Sequence, residues 1–169
     1  MRRGNRRGGY IGQIVFLIVL VGLGVLVWYS FKSWLTNSEV REAAETAEQF
    51  YKYEQTGDFG SSWDLFSAAM KERFDKQNYI QSRAHVFMQH FNVKSFKFSL
   101  TEPKLEYDVK LVDNGPVLEK AYKMVVTQVY ETQFGNFSIV QPCYVSLELG
   151  QWKLSWIFTK DGEEQTEGE

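Results

Sequence analysis

The sequence predicts an α+β domain carried behind one N-terminal transmembrane helix. Three observations predict it. An apolar run of membrane-spanning length lies near the start. Stripes with a three-to-four period follow it. After about Asn92 the period changes to two.

The apolar run is Tyr10–Phe31, YIGQIVFLIVLVGLGVLVWYSF, in which only Gln13 and Ser30 are polar. At the helical rise of about 1.5 Å per residue it extends roughly 33 Å, enough for a bilayer core. Arg2, Arg3, Arg6 and Arg7 precede it, and no acid occurs among the first 38 residues. The positive-inside bias therefore puts the N-terminus in the cytoplasm and the remainder outside, with the membrane as the site of residence. Trp28, Tyr29 and Trp34 are the expected interface anchors, where flat apolar rings meet hydrated headgroups. A cleaved signal peptide is the rival. Its apolar region would be shorter, and small residues would follow it. Here the residues after the run are bulky, and Thr36-Asn37-Ser38 is a poor cleavage site.

The expected organisation is a basic cytoplasmic tail over 1–9, a transmembrane helix over 10–31 and a juxtamembrane linker over 32–37. An extracytoplasmic domain over 38–160 and an acidic disordered tail over 161–169 complete it. The whole chain has 19 basic and 21 acidic side chains. Without the four N-terminal arginines the balance is 15 against 21, near −6. An acidic outer domain excludes nucleic acid as a partner, because phosphate backbones need clustered Lys and Arg. The single cysteine, Cys143, allows no intramolecular disulfide and no multi-cysteine metal site. It sits in the alternation Phe137, Ile139, Gln141, Cys143, Val145, Leu147, Leu149, which makes it a buried small hydrophobe.

Thr36-Asn37-Ser38-Glu39 fits a capping box that starts the first helix. Val40, Ala43, Ala44, Ala47, Phe50 and Tyr51 form its apolar stripe, and Gly57 ends it. Ser61 with Asp64 is the expected cap of a second helix carrying Trp63, Phe66 and Met70. A third helix after Asp75 carries Ile80, Ala84, Phe87, Met88 and Phe91. Strands follow. Phe96, Phe98 and Leu100 alternate with polar residues, as do Leu105, Tyr107, Val109 and Leu111. A long strand is expected over about 118–132 after the turn signal Asp113-Asn114-Gly115-Pro116. Pro142 predicts a bulge or an open edge in the cysteine strand. Gly150-Gln151 predicts a hairpin into Trp152, Leu154, Trp156 and Phe158.

Three stretches of this pattern resemble a known fold family. They are Ala47-Glu48-Gln49-Phe50 through Thr56-Gly57-Asp58-Phe59 to Trp63-Asp64-Leu65-Phe66-Ser67, then Tyr79-Ile80 with Phe91-Asn92-Val93-Lys94-Ser95-Phe96, then Gly150-Gln151-Trp152-Lys153-Leu154-Ser155-Trp156. Together they are similar to the nuclear transport factor 2-like, cystatin-related cone. The resemblance implies three helices packed on a curved antiparallel sheet over roughly residues 38–158. The chain looks most like the outer N-terminal domain of class B penicillin-binding proteins of Gram-positive bacteria. Its layout also resembles the single-span assembly subunit of type IV secretion and conjugation machines. In the penicillin-binding proteins a transpeptidase follows. No Ser-x-x-Lys, Ser-Asp-Asn or Lys-Thr-Gly occurs here, which excludes that chemistry.

The cone fold sometimes hosts isomerases, which need an acid or base in the pocket. His85, His90, Asp64 and Tyr107 are the candidates. His85 and His90 are five apart, about 140° around a helix, so they do not share a face as metal ligands would. His85 lies off the apolar stripe, and Asp64 has a cap to serve. No catalytic residue, no metal ligand and no cofactor site is therefore expected. Tyr51, Trp63, Phe66, Phe87, Tyr107 and Trp156 are the candidates for lining a pocket, with ordinary core as the competing role. The expected function is a non-catalytic assembly module in a bacterial cell envelope, in wall synthesis or secretion-type machinery. Its partners would be the lipid bilayer and other envelope proteins, with self-association left open. The alternative is a domain that binds a small apolar ligand, or an isomerase-type enzyme using the cone pocket.

Overall fold

The computed structural model describes residues 8–85, 95–112, 115–132 and 135–158, apart from the side chains at 8–12, 14–15 and 32–36. The chain divides into two compact units, Met1–Glu39 and Val40–Glu169. The second unit is a mixed α+β fold in which helices meet a curled antiparallel sheet.

Helix α1 runs without a break over Gly8–Thr56, 49 residues. The expected capping box therefore starts no helix: Thr36 to Glu39 lie inside α1, and so does the expected linker over 32–37. No proline or glycine between Gly24 and Gly57 interrupts the backbone there. The stripe behaves as expected. Ala43, Ala47, Phe50 and Tyr51 are buried, and Val40 and Ala44 pack against them. Gly57, at φ 78, ends the helix, and the Asp58 N–H bonds the Tyr53 carbonyl at 2.9 Å.

The expected second helix is two short ones, α2 (Phe59–Asp64) and α3 (Ala68–Arg73). The chain between them extends along the sheet. The Leu154 N–H donates to the Leu65 carbonyl at 2.9 Å, and the Ser67 N–H donates to the Leu154 carbonyl at 3.0 Å. Helical backbone could not make these bonds. The caps also differ from expectation. Asp58 caps α2, its Oδ1 accepting from the Ser61 N–H at 3.1 Å, while Asp64 is the last residue of that helix. Ser67 caps α3 and Asp75 caps α4 (Lys76–Ala84). Met88 and Phe91 of the expected third-helix stripe lie outside the described residues.

The sheet has five strands: β1 (Lys97–Leu100), β2 (Lys104–Lys110), β3 (Val117–Thr132), β4 (Gly135–Glu148) and β5 (Gln151–Ser155). β3 is its spine. β2 and β1 share one side of it, β4 takes the other, and β5 follows β4, all antiparallel. β3 matches the long strand expected from the sequence. The β3–β4 register runs from Tyr122↔Val145 to Thr132↔Gly135 without a bulge. Pro142 faces Val125 where, among the described residues, no strand pairs the other side of β4, so of the two expectations it is the edge rather than the bulge that these residues show. The closing hairpin turns at Leu149-Gly150 rather than Gly150-Gln151, with both residues at positive φ (49 and 79).

One strand departs from simple alternation. Val109 and Leu111 are buried as expected, but Leu105 is 41 % and Tyr107 64 % exposed. Asp108, at φ 52, stands between these halves, and Val109 packs with Ala121 and Tyr144 in a cluster apart from the main core. After β5, the Phe158 N–H bonds the Leu111 carbonyl at 2.9 Å, which ties the segment after β5 to the residue after β2. The core lies where α1 meets the concave side, with Phe50, Tyr51, Phe66, Met70, Met124, Val126, Val145 and Leu154 fully or almost fully buried.

Candidate functional site

The densest set of interacting polar groups surrounds Glu54. Its position follows from α1: it lies three residues after Tyr51 and four after Phe50, on the apolar stripe. The carboxylate is completely buried. Oε1 accepts from the Tyr79 hydroxyl at 2.8 Å and from the Ser62 hydroxyl. Oε2 accepts from Arg83 Nε at 2.7 Å and from Arg83 Nη2. Four donors occupy the two oxygens, so little accepting capacity remains. Tyr79 and Arg83 are four apart on α4, and Ser62 comes from α2.

The electrostatics agree with this geometry. Burial, and then the Glu54 carboxylate, push the Tyr79 hydroxyl well above its ordinary range, so it stays a donor. Burial works against the charge on Arg83, but Glu54 and Tyr79 outweigh it and its pKa is raised. Tyr130, which donates to buried Gln128, is pushed up to about 12, mainly by burial, with Arg83 pulling the other way. The cluster can join α1, α2 and α4. A base that already accepts four bonds has little capacity left for a substrate proton.

Tyr51, Phe66 and Trp156 come together and fill the interior. Phe66 meets Phe50, Tyr79 and Trp156 at ring separations of 5.1 Å each. Trp156 Nε1 donates to the Tyr51 hydroxyl at 3.2 Å. These rings pack against one another in the interior. Cys143 is buried beside Tyr51, and burial pushes its thiol up to about 12. Tyr107 lies at the surface, 64 % exposed, rather than among these buried rings.

Trp63 is half-buried at the surface rather than in the aromatic centre. Its Nε1 donates to the Phe74 carbonyl at 2.7 Å. Lys71 and Lys76 lie 4.9 and 5.1 Å from its ring centre. Asp64 takes Lys76 on its carboxylate at 2.7 Å, and its carbonyl accepts from Lys71 and Lys153 at 3.0 Å each. That ion pair replaces its expected capping role. His85 is exposed at the end of α4. Phe87 and His90 lie outside the described residues, as do Arg2, Arg3, Arg6, Arg7 and the side chain of Trp34.

An open groove of about 380 Å³ runs between α1 and the β1–β2 connection, lined by Ala44, Glu48, Phe98, Leu100 and Met124 among others. Its carboxylate Glu48 is paired with Lys52 at 2.7 Å. Among the described residues no three His, Cys, Asp or Glu side chains are placed to hold a metal ion.

Sequence reasoning passed over Glu54 and Arg83. The signal was present: each sits where an apolar stripe continues, Glu54 after Tyr51 and Arg83 three and four residues after Ile80 and Tyr79. A charge on a core-facing stripe predicts a buried partner of opposite sign.

In the first unit, Phe16–Phe31 lie on α1 and every one is exposed, including Trp28 at 66 % and Tyr29 at 69 %. Among the described residues, no helix is long and apolar enough to cross a membrane. The sequence matches no protein-family profile, and no curated protein is similar enough to count as a relative.

Proposed function

We propose that this chain is a single-span membrane protein of a bacterial cell envelope, with its N-terminus in the cytoplasm and its second unit outside. We further propose that this unit has the nuclear transport factor 2-like cone fold and works as a non-catalytic assembly module for other envelope proteins. One observation carries the reading. Phe16–Phe31 form continuous helix, Ser30 is the only polar side chain among them, and all sixteen are exposed. An apolar surface all around a helix needs an apolar surround. The described side chains fall short of the roughly 20 residues a bilayer needs. The helical residues Tyr10–Val15 continue the apolar run.

The assembly role rests on how the polar groups of the second unit are used. Glu54, Arg83, Tyr79 and Ser62 are engaged with one another, and the aromatic interior is filled by packing. What remains is surface. Paired C-terminal fusions test the topology, one to a phosphatase that matures only outside the cytoplasm and one to a fluorescent protein that matures only inside. Phosphatase activity is expected. Fluorescence with an inactive phosphatase would overturn the reading. Cross-linked capture from membranes, followed by mass spectrometry, tests the role and should recover envelope proteins in defined stoichiometry.

A further inference from the structure

Three lysines converge on Asp64 at the end of α2, one each from α3, α4 and β5. Lys71 Nζ and Lys153 Nζ both donate to the Asp64 carbonyl oxygen, each at 3.0 Å, so the two ammonium nitrogens are at most twice that distance apart. Lys76 Nζ holds Asp64 Oδ1 at 2.7 Å. The acceptor that Lys71 and Lys153 share is neutral, and among the described residues neither is ion-paired with a carboxylate. Each ammonium carries three donors, so donors remain on both. Like charges this close repel. Burial, and then the Lys153 charge, hold the Lys71 pKa below its ordinary value, and Asp64 offsets only part of this. Glu148, the other acid acting on Lys71, is bonded to the Ala68 N–H at 3.0 Å. With both acids counted, the cluster keeps one positive charge in excess. On the same face of the sheet, Ser146 is the register partner of Lys153, and its buried hydroxyl has no hydrogen-bond partner among the described residues.

We propose that Lys71, Lys76 and Lys153 form a surface site for a phosphate group. Three elements bring these donors together from separate parts of the fold. A phosphate offers oxygens in several directions, whereas a carboxylate offers two in one plane. Lysine meets phosphate as a point charge, and planar carboxylates are better matched by the fork of arginine. An anion between Lys71 and Lys153 replaces their repulsion with charge-assisted hydrogen bonds and leaves both bonds to the Asp64 carbonyl in place. Beyond its N-terminal arginines the chain carries near −6, which works against a long polyanion. The ligand is therefore one that presents a single phosphate group. A soluble phosphate ester and a lipid headgroup share that chemistry. The site does not depend on which side of a membrane the second unit occupies.

The test uses the full chain in neutral detergent micelles at constant ionic strength. Calorimetric titration with inorganic phosphate should saturate, and acetate should bind about tenfold more weakly. The double change Lys71→Gln, Lys153→Gln keeps an N–H for the Asp64 carbonyl and should weaken phosphate binding about tenfold. Lys71→Gln alone should weaken it severalfold and serves if the double variant does not fold. Lys52→Gln, which removes a lysine already paired with Glu48, should leave binding unchanged. A second titration uses lysophosphatidic acid mixed into the micelles. Tighter binding than inorganic phosphate identifies a lipid headgroup as the ligand, and equal or weaker binding identifies a soluble ester. The absence of saturable binding by both phosphate probes overturns the proposal. So does acetate binding as tightly as phosphate, or phosphate affinity that the lysine changes leave intact.

Discussion

Arg83 holds Glu54 through Nε at 2.7 Å and through Nη2, both on one carboxylate oxygen, across the interior between α4 and α1. Tyr79 and Ser62 serve the other oxygen. Removing one member leaves a buried charge without its partner, which costs far more than the pair contributes. Glu54→Gln should lower the unfolding free energy by about 3 kcal/mol. The double change Glu54→Leu, Arg83→Met should recover at least half of that. Urea unfolding of the full chain in micelles, followed by tryptophan fluorescence, measures both. Equal losses in the single and double variants would show that the ion pair is not the source.

Alkaline pH should destabilise the domain. Burial raises both Cys143 and Tyr130 to about 12 in the folded chain, from ordinary values of 9.0 and 10.0. A group with a raised folded pKa stabilises fully below its unfolded pKa and loses that contribution as pH climbs toward the folded one. Stability should therefore hold flat from pH 7 to about 9 and fall between about 9 and 12. Cys143→Ala should remove the early part of that fall. In the folded chain at pH 8, Cys143 should not react with iodoacetamide, because its thiolate is scarce and enclosed.

Phe66 is the hub of the aromatic interior, with four rings around it at 5.1 to 6.4 Å. Phe66→Ala should cost about 3–5 kcal/mol. The unaltered chain should carry no apolar ligand in native mass spectrometry, whereas the alanine variant should gain affinity for benzene-sized probes. A ligand retained by the unaltered chain would instead support a binding role.

Leu149 sits in the hairpin turn at φ 49 and is fully exposed. A leucine in left-handed backbone costs roughly 1–2 kcal/mol, and the turn gains no burial from it. Leu149→Asn should stabilise the chain by about 1 kcal/mol, because Asn-Gly suits a turn with two positive φ values. The thermal midpoint in micelles should rise by a few degrees.

The local features of this chain were readable without coordinates. The stripe from Val40 to Tyr51, the stop at Gly57, the length of β3 and the edge at Pro142 each follow from the chemistry of a few neighbouring residues. Tertiary structure decided what depends on partners distant in sequence. Leu65–Ser67 leave the helix because β5 offers them hydrogen bonds, so one expected helix becomes two. Tyr107 is exposed while Val109 packs beside Ala121 and Tyr144, with Asp108 in left-handed backbone between them. Glu54 stays in the core because α4 brings Arg83 and Tyr79 to it. Periodicity records which face a residue occupies. A charge on an apolar stripe calls for a buried partner, but which residue supplies it is decided by the fold, tens of residues away.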